Sequence, residues 1–212
     1  DTLIFGGLTD NTSTGATWVF TRSSGVWTQQ GSKLVGTGAV GNARQGTSVS
    51  IYQNTLVSGG HQDNSNTGAV WVFTRSNGVW TQQGSKLVGT GAGAAAGQGS
   101  FVSLFKDTLA LCGGGEPSVW IFVRSGTNWT QQGSKLLDAG AAVSVYENTL
   151  ACSNREFNTG SGVAYVYTRS GTTWTLQTQF NTASGRFGYS ISLGSESDMV
   201  IGRRLDMEVG SP

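Results

Sequence analysis

Short apolar runs separated by glycine and small polar residues fill this chain, and none of them follows a helical period. Thr2-Leu3-Ile4-Phe5 sits between Asp1 and Gly6-Gly7, which predicts a buried strand. Trp18–Arg22 is aromatic and β-branched and predicts a second strand. Ser23-Ser24-Gly25 supplies a turn, and Trp27–Gln30 predicts a more polar strand for an outer edge. A glycine-rich crossing over 35–46 leads to Thr47-Ser48-Val49-Ser50-Ile51, a strand of small and β-branched residues. With 33 glycines in 212 residues, helices are penalised throughout.

This four-strand text is repeated. Asp1–Gln53 and Asn54–Lys106 align without a gap, with 35 of 53 positions identical. The repeat boundaries fall at about 1–53, 54–106, 107–147, 148–197 and a partial 198–212. The paired aromatics Trp18/Trp27, Trp71/Trp80, Trp120/Trp129 and Tyr165/Trp174 lie nine residues apart in every repeat. Fixed spacing is what a hairpin requires, since a one-residue slip turns each later side chain to the other face. The spacings that vary between repeats mark loops. A repeat of this length with four strands predicts an all-β chain of propeller type, built from four-stranded antiparallel blades. The small strand should lie innermost, the Asp/Asn-Thr-Leu strand second, Trp-Val-Phe third and Trp-Thr-Gln-Gln outermost. The chain opens with a second strand and ends near Met199–Gly202 with a surplus one. It is therefore expected to be part of a larger propeller or to pair its terminal strands with another copy.

These residues resemble a known family. Gly-x-Ser-Val-Ser-Leu, then Asp/Asn-Thr-Leu-Ala, then Gly-x-Val-Trp-Val-Phe is similar to the FG-GAP propeller repeat of integrin alpha-subunit heads and many secreted or surface proteins. The first element matches at 46–51, 99–104 and 188–193 and is degenerate at 142–145. The resemblance implies a propeller fold and a place outside the cell or on its surface. Family members often carry an Asp-rich calcium loop, but the turns at 51–54, 104–107 and 145–148 offer too few carboxylates, so no metal is expected.

Thirteen Lys/Arg against twelve Asp/Glu leave no field to draw nucleic acid, and no apolar run is long enough to insert in a membrane. The chain starts within a repeat and reads as a mature product or a fragment. Low charge with abundant Gly, Ser, Thr and Asn suits a secreted or surface protein. Cys112 and Cys152 occupy strand positions that face opposite ways, which predicts two buried free thiols.

No enzyme signature or cofactor motif is present. His61, the single histidine, lacks a partnered nucleophile and is expected in a solvent-exposed loop. Glu196 and Asp198 read as turn residues. Arg22, Arg75, Arg124 and Arg169 recur in step with the fold, which assigns them to structure. The Trp/Tyr pairs are expected in core and blade edges. Asn11-Thr12-Ser13 and Asn128-Trp129-Thr130 match the glycosylation pattern without further support.

Recognition is expected on the loops that vary, at 8–14, 61–67, 113–118 and 154–162. The candidates for partner contact are Asp10, Asn11, His61, Asp63, Glu116, Arg155, Glu156 and Phe157. The expected partner is a protein at a surface, which makes the chain a recognition or adhesion module or a building block. The alternative is a glycan, which makes it a lectin-like propeller.

Overall fold

The structure, a computed structural model, describes residues 1–137, 139–181, 186–195 and 198–203. Its first sheet is β1 (Thr2–Gly7), β2 (Ala16–Ser23) and β3 (Val26–Gln29), in that order. The second is β4 (Ser48–Tyr52), β5 (Thr55–Gly60), β6 (Ala69–Ser76) and β7 (Val79–Gln82). The third is β8 (Gln98–Phe105), β9 (Thr108–Gly113), β10 (Ser118–Ser125) and β11 (Asn128–Gln131), with β12 (Leu136–Leu137) also on β10. The fourth is β13 (Ala142–Tyr146), β14 (Thr149–Asn154), β15 (Val163–Ser170) and β16 (Thr173–Asn181). Last come β17 (Phe187–Leu193) and β18 (Met199–Arg203), paired with each other. Every named strand pair is antiparallel. The strand order within a sheet is the one the sequence pattern predicts, with the small strand at one edge and Trp-Thr-Gln at the other.

The core lies between sheets. Val19 of the first sheet packs with Leu56, Trp71 and Phe73 of the second. Val57, Val70 and Val72 of the second meet Leu109, Leu111 and Trp120 of the third, while Cys112 and Ile121 of the third meet Val143, Leu150 and Cys152 of the fourth. Both faces of the middle strands are therefore covered, which is why β5 and β9 are buried at every residue. The two cysteines face opposite ways on their own sheets and so point into one shared layer. They remain free thiols, and burial pushes both pKa values up.

Three devices link neighbouring sheets. The inner strands have no strand on their inner edge, so N–H groups there need another acceptor. Val102 N–H and Leu104 N–H donate to Ser48 Oγ and Ser50 Oγ, each at 3.0 Å. Val145 N–H donates to Ser103 Oγ and Leu193 N–H to Ser144 Oγ, also at 3.0 Å. Next, the repeated arginines lie over the outer tryptophans of their own sheets, as Arg75 over Trp80 at 5.1 Å and Arg169 over Trp174 at 5.1 Å. From there they donate backwards, Arg75 to Thr2, Arg124 to Thr55 and Arg169 to Thr108, at 3.1, 2.8 and 3.0 Å. Finally, the indoles of Trp80, Trp129 and Trp174 donate to Gln30, Gln83 and Gln132, each at 2.9 Å.

Three local features depart from the sequence expectation. The connections between second and third strands in the first, second and fourth sheets each contain one helical turn: α1 (Asp10–Ser13), α2 (Asp63–Asn66) and α3 (Phe157–Gly160). In α1 and α2 the turn is left-handed, with φ of 48° at Asn11, 53° at Thr12, 47° at Asn64 and 55° at Ser65. Four residues are too few to show a helical period. After the outermost strand, the chain breaks at Gly31, Gly84 and Gly133, with φ of 70°, 71° and 72°, and returns to the third strand at Leu34, Leu87 and Leu136. The fourth repeat has Thr178 at that point, and β16 runs straight on to Asn181 along β15.

Of the turn pair at the chain's end, Glu196 lies outside the described residues, as does 204–212 of the partial fifth repeat. Asp198 accepts a hydrogen bond from Ser195 Oγ at 2.8 Å. Among the described residues no helix is long and apolar enough to cross a membrane.

Candidate recognition face

In these sheets the turns between first and second strands, and between third and fourth, fall at one end. The one-turn helices and the crossings between repeats fall at the other. The first set is uniform and carries two-residue turns such as Gln53-Asn54 and Lys106-Asp107. The second set carries the sequence variation.

On the variable face, three of the candidate acids turn out to hold the loops together. Asp10 pairs with Lys33, Asp63 with Lys86 at 2.5 Å, and Glu116 with Lys135. These are equivalent positions, each lysine coming from the Gly-Ser-Lys-Leu return of the same repeat. Asp63 is buried, and its second oxygen accepts the Val40 N–H at 2.7 Å. That corrects its assignment to partner contact, because a side chain sealed inside cannot touch a partner. Glu116 accepts Gly93 N–H at 2.7 Å besides its lysine. The hydrogen bond from Lys135 holds its carboxyl below the ordinary range.

His61 also differs from the expectation of an exposed loop residue. It is half-buried, with Nδ1 2.9 Å from Thr47 Oγ1. Burial, and then the Arg44 guanidinium, push its pKa below the ordinary value. Arg44 Nε is itself a buried donor without a partner. Asn11 is exposed at the first left-handed position of α1.

The strand registers place Arg44, Thr47 and His61, at the second sheet, in the positions that Gly97, Ser100 and Gly114 hold at the third. Ala141 and Arg155 hold two of them in the fourth. One framework thus presents a basic set, then a bare one, then an arginine. Bareness in the third repeat leaves room: Phe101, Gly113, Gly114 and Pro117 face Arg155 and Glu156 of the fourth across a cleft of about 220 Å³. Glu156 lies 3.4 Å from Arg155 Nε and 3.9 Å from Arg186 Nε, and the Arg155 guanidinium lies over the Tyr189 ring at 5.4 Å. Phe157 follows in the chain and is solvent-exposed.

Arg155 and Glu156 are therefore the candidates that the fold brings to one cleft, with exposed Phe157 next in the chain and Glu116 next to the Pro117 wall. Asp10, Asn11 and His61 belong to earlier repeats. Phe101, Pro117 and Tyr189 escaped the sequence reading. Tyr189 carried a signal, since it stands where the second and third repeats have Thr47 and Ser100.

No protein-family model matches the chain, and no curated protein matches it in sequence. Solved structures do match in shape. A protein of Bacteroides uniformis described as a 6-phosphogluconolactonase superposes with a TM-score of 0.60 at 12% identity, over 85% of this chain and 55% of its own. The fold is β-propeller-like. A chain of a nidogen/laminin complex superposes with a TM-score of 0.51 at 9% identity, over 90% of this chain and 65% of its own. This chain thus spans between half and two thirds of those neighbours. At such identities the likeness is one of fold, and it carries neither the lactonase chemistry nor a partner.

The remaining propeller-type features fit that fold. Trp71 and Trp120 are fully buried, while Trp80 and Tyr165 are nearly so. Trp129 and Trp174 are half-buried on edge strands, Trp18 is half-buried on the middle strand of the first sheet, and Trp27 is exposed. Asn128 is exposed at the start of β11. No cluster of three or more His, Cys, Asp or Glu side chains poised for a metal occurs among the described residues.

Proposed function

We propose that this protein is a recognition or adhesion module, or a building block of an extracellular or cell-surface assembly, which binds a protein partner through its variable face. The observation that carries this reading is the cleft beside Arg155, Glu156 and Phe157. Its lining joins Phe101 and Pro117 to the Arg155 guanidinium and the Glu156 carboxylate; Arg186 lies 3.9 Å from Glu156, and the exposed Phe157 is next in the chain. The FG-GAP resemblance and the low-charge, Gly/Ser/Thr/Asn-rich composition support a place outside the cell. Among the fold neighbours, a nidogen/laminin complex offers a protein–protein precedent for such a frame. The reading is non-enzymatic, since Thr47 Oγ1, which lies 2.9 Å from His61 Nδ1, donates its proton to the Arg44 carbonyl at 2.7 Å rather than to the imidazole.

A panel of displayed extracellular proteins tests it, with the intact protein against the combined variant R155A/E156A/F157A. Binding should fall by about tenfold or more, the effect of one or two centrally placed contacts. A hit bound equally well by the variant would refute the assignment of the face.

A second reading, glycan binding, is favoured by three equivalent grooves on the rim. Each is lined by Gln-Gly-Ser-Lys-Leu of one repeat and the outer tryptophan of the next: Trp80, Trp129 or Trp174, with volumes of about 320, 450 and 390 Å³. The same polar and aromatic set thus recurs, as repeated sugar sites would need. A glycan array separates the readings, and an array without signal removes this one.

A further inference from the structure

The end of the sheets opposite the variable loops carries a cleft of its own. It lies between the second and third sheets, with a volume of about 460 Å³. The turn at Gln53-Asn54 bounds it on one side and the turn at Lys106-Asp107 on the other, and Arg75 of β6 and Arg124 of β10 complete it. Three cations and one carboxylate, Asp107, therefore line this junction. The equivalent positions between the third and fourth sheets hold Lys106, Arg124 and Arg169 against Asp107 and Glu147, which is three cations against two carboxylates. One more positive charge is left over in the cleft than at the next junction.

Two turn residues make the difference. Gln53, Lys106 and Glu147 share one turn position, with φ of 51°, 52° and 49°, and Asn54, Asp107 and Asn148 share the next. Between the third and fourth sheets Lys106 reaches across to Glu147, whereas Gln53 brings no charge to the cleft. Arg124 is neutralised by Asp107 Oδ1, 2.7 Å from its Nε and 2.6 Å from its Nη2. Arg75 has Asn54 in that place. It donates to neutral oxygens, namely Asn54 Oδ1 at 2.9 Å, Thr2 Oγ1 at 3.1 Å and Gln30 Oε1 at 3.3 Å. No carboxylate pairs with it among the described residues. A half-buried guanidinium held in place by neutral acceptors keeps its charge and its planar fork for an oxyanion.

We propose that this cleft binds an acidic glycan, with a carboxylate or sulfate group of the sugar on Arg75 and its hydroxyls on the rest of the lining. Gln53, Asn54, Thr55 and Thr74 supply amide and hydroxyl groups there, Tyr52 is the one aromatic ring, and no aliphatic side chain takes part. A protein partner would need an apolar anchor, which such a lining does not hold. The volume falls within the roughly 300–1,000 Å³ of small-ligand sites, more than a lone inorganic ion fills. The rim grooves differ in charge as well as in place, because the lysine of each is already paired with Asp10, Asp63 or Glu116.

The repeats themselves supply the variants for a test. Asn54→Asp gives Arg75 the partner that Arg124 has, and Asp107→Asn takes that partner from Arg124. Each new residue already stands at the same turn position in another repeat, and circular dichroism checks that both variants fold. On an array of uronate-bearing, sulfated and neutral glycans, the intact protein should retain acidic ones, and the split between uronates and sulfates identifies the oxyanion. N54D should weaken their binding by about tenfold or more, and D107N should strengthen it by about threefold. The variant R155A/E156A/F157A should bind them as the intact protein does, which keeps this site separable from the recognition face. No acidic glycan bound at roughly 1 mM would overturn the proposal, as would charge variants that shift binding in the same direction. Hits confined to neutral glycans and unaffected by N54D belong to the rim grooves and would overturn it too. So would inorganic sulfate that raises the Tm of the intact protein but not of N54D while no glycan is retained, the mark of an adventitious ion only.

Discussion

Replacing Gly36 with alanine should be one of the most damaging single-methyl changes in the protein. Gly36 lies in the crossing from the first to the second repeat. An added Cβ would stand 2.6 Å from Trp71 Nε1 and closer still to Cδ1 and Cγ. Neither side can yield. The Gly36 backbone is pinned by buried Gln45, which accepts its N–H at 2.6 Å and donates to its carbonyl at 2.9 Å. The Trp71 ring is fully buried and its indole N–H donates to Thr37 O at 2.8 Å. Overpacking a rigid site costs about 1–3 kcal/mol. Expelling the indole would add its hydrogen bond, about 1 kcal/mol. The expected loss is about 2–4 kcal/mol, or roughly 4–16 °C in Tm for a chain of this size. Chemical and thermal denaturation measure it. Gly38→Ala is the control: its Cβ meets nothing within 4 Å, and at φ +78° it should cost about 1–2 kcal/mol from backbone conformation alone. In a Trp71→Leu background, Gly36→Ala should lose most of its effect. A Gly36→Ala protein within about 0.5 kcal/mol of wild type, or an equal cost in both backgrounds, would refute the steric argument.

Asp63→Ala should cost about 3 kcal/mol by leaving Lys86 and Val40 N–H without their acceptor, whereas Asp10→Ala at the exposed equivalent should cost about 1 kcal/mol or less. Similar values for the two in urea titrations would show that burial does not set the difference. For His61, the folded pKa lies below 6.5, so the unfolded chain takes up the proton first as pH falls. The stability contributed by the neutral ring is present above 6.5 and is lost as pH drops toward the folded pKa. Unfolding free energies between roughly pH 7.5 and 5.5 should show this slope in wild type and less of it in His61→Asn; identical slopes would exclude the effect. Cys112 and Cys152 are buried with raised pKa values, so a thiol reagent should label them no faster than global unfolding. Rapid labelling of the native protein would contradict their burial.

The nine-residue spacing of the aromatic pairs was enough to read the hairpins, and the small side chains of Ser-Val-Ser were enough to place that strand innermost. The purpose of its serines was not legible. Their acceptor role depends on the N–H groups of the next repeat, more than forty residues away in sequence. The same non-local logic hid the burial of Asp63. Asp-Asn in a loop looks solvated until Lys86 returns along β6 to meet it. Variation among loops marked where the repeats differ. It could not separate Arg155, which faces the cleft, from Glu116, which is engaged with Lys135. Opposite strand parity suggested that the cysteines avoid each other. Between neighbouring sheets that same parity aims them into one layer.

The three linking devices described above share a direction. The indole and guanidinium donors, and the inner-strand N–H groups, all reach from a later repeat to an earlier one. A ribosome makes the acceptors first. A finished repeat waiting for its successor therefore exposes threonine, serine and glutamine oxygens, which water satisfies easily. Its own arginine and indole are already engaged behind it. Growth from the N-terminus thus advances a hydrophilic front and closes each seam as soon as the next repeat emerges. Growth in the other direction would leave the indole and guanidinium waiting at every step.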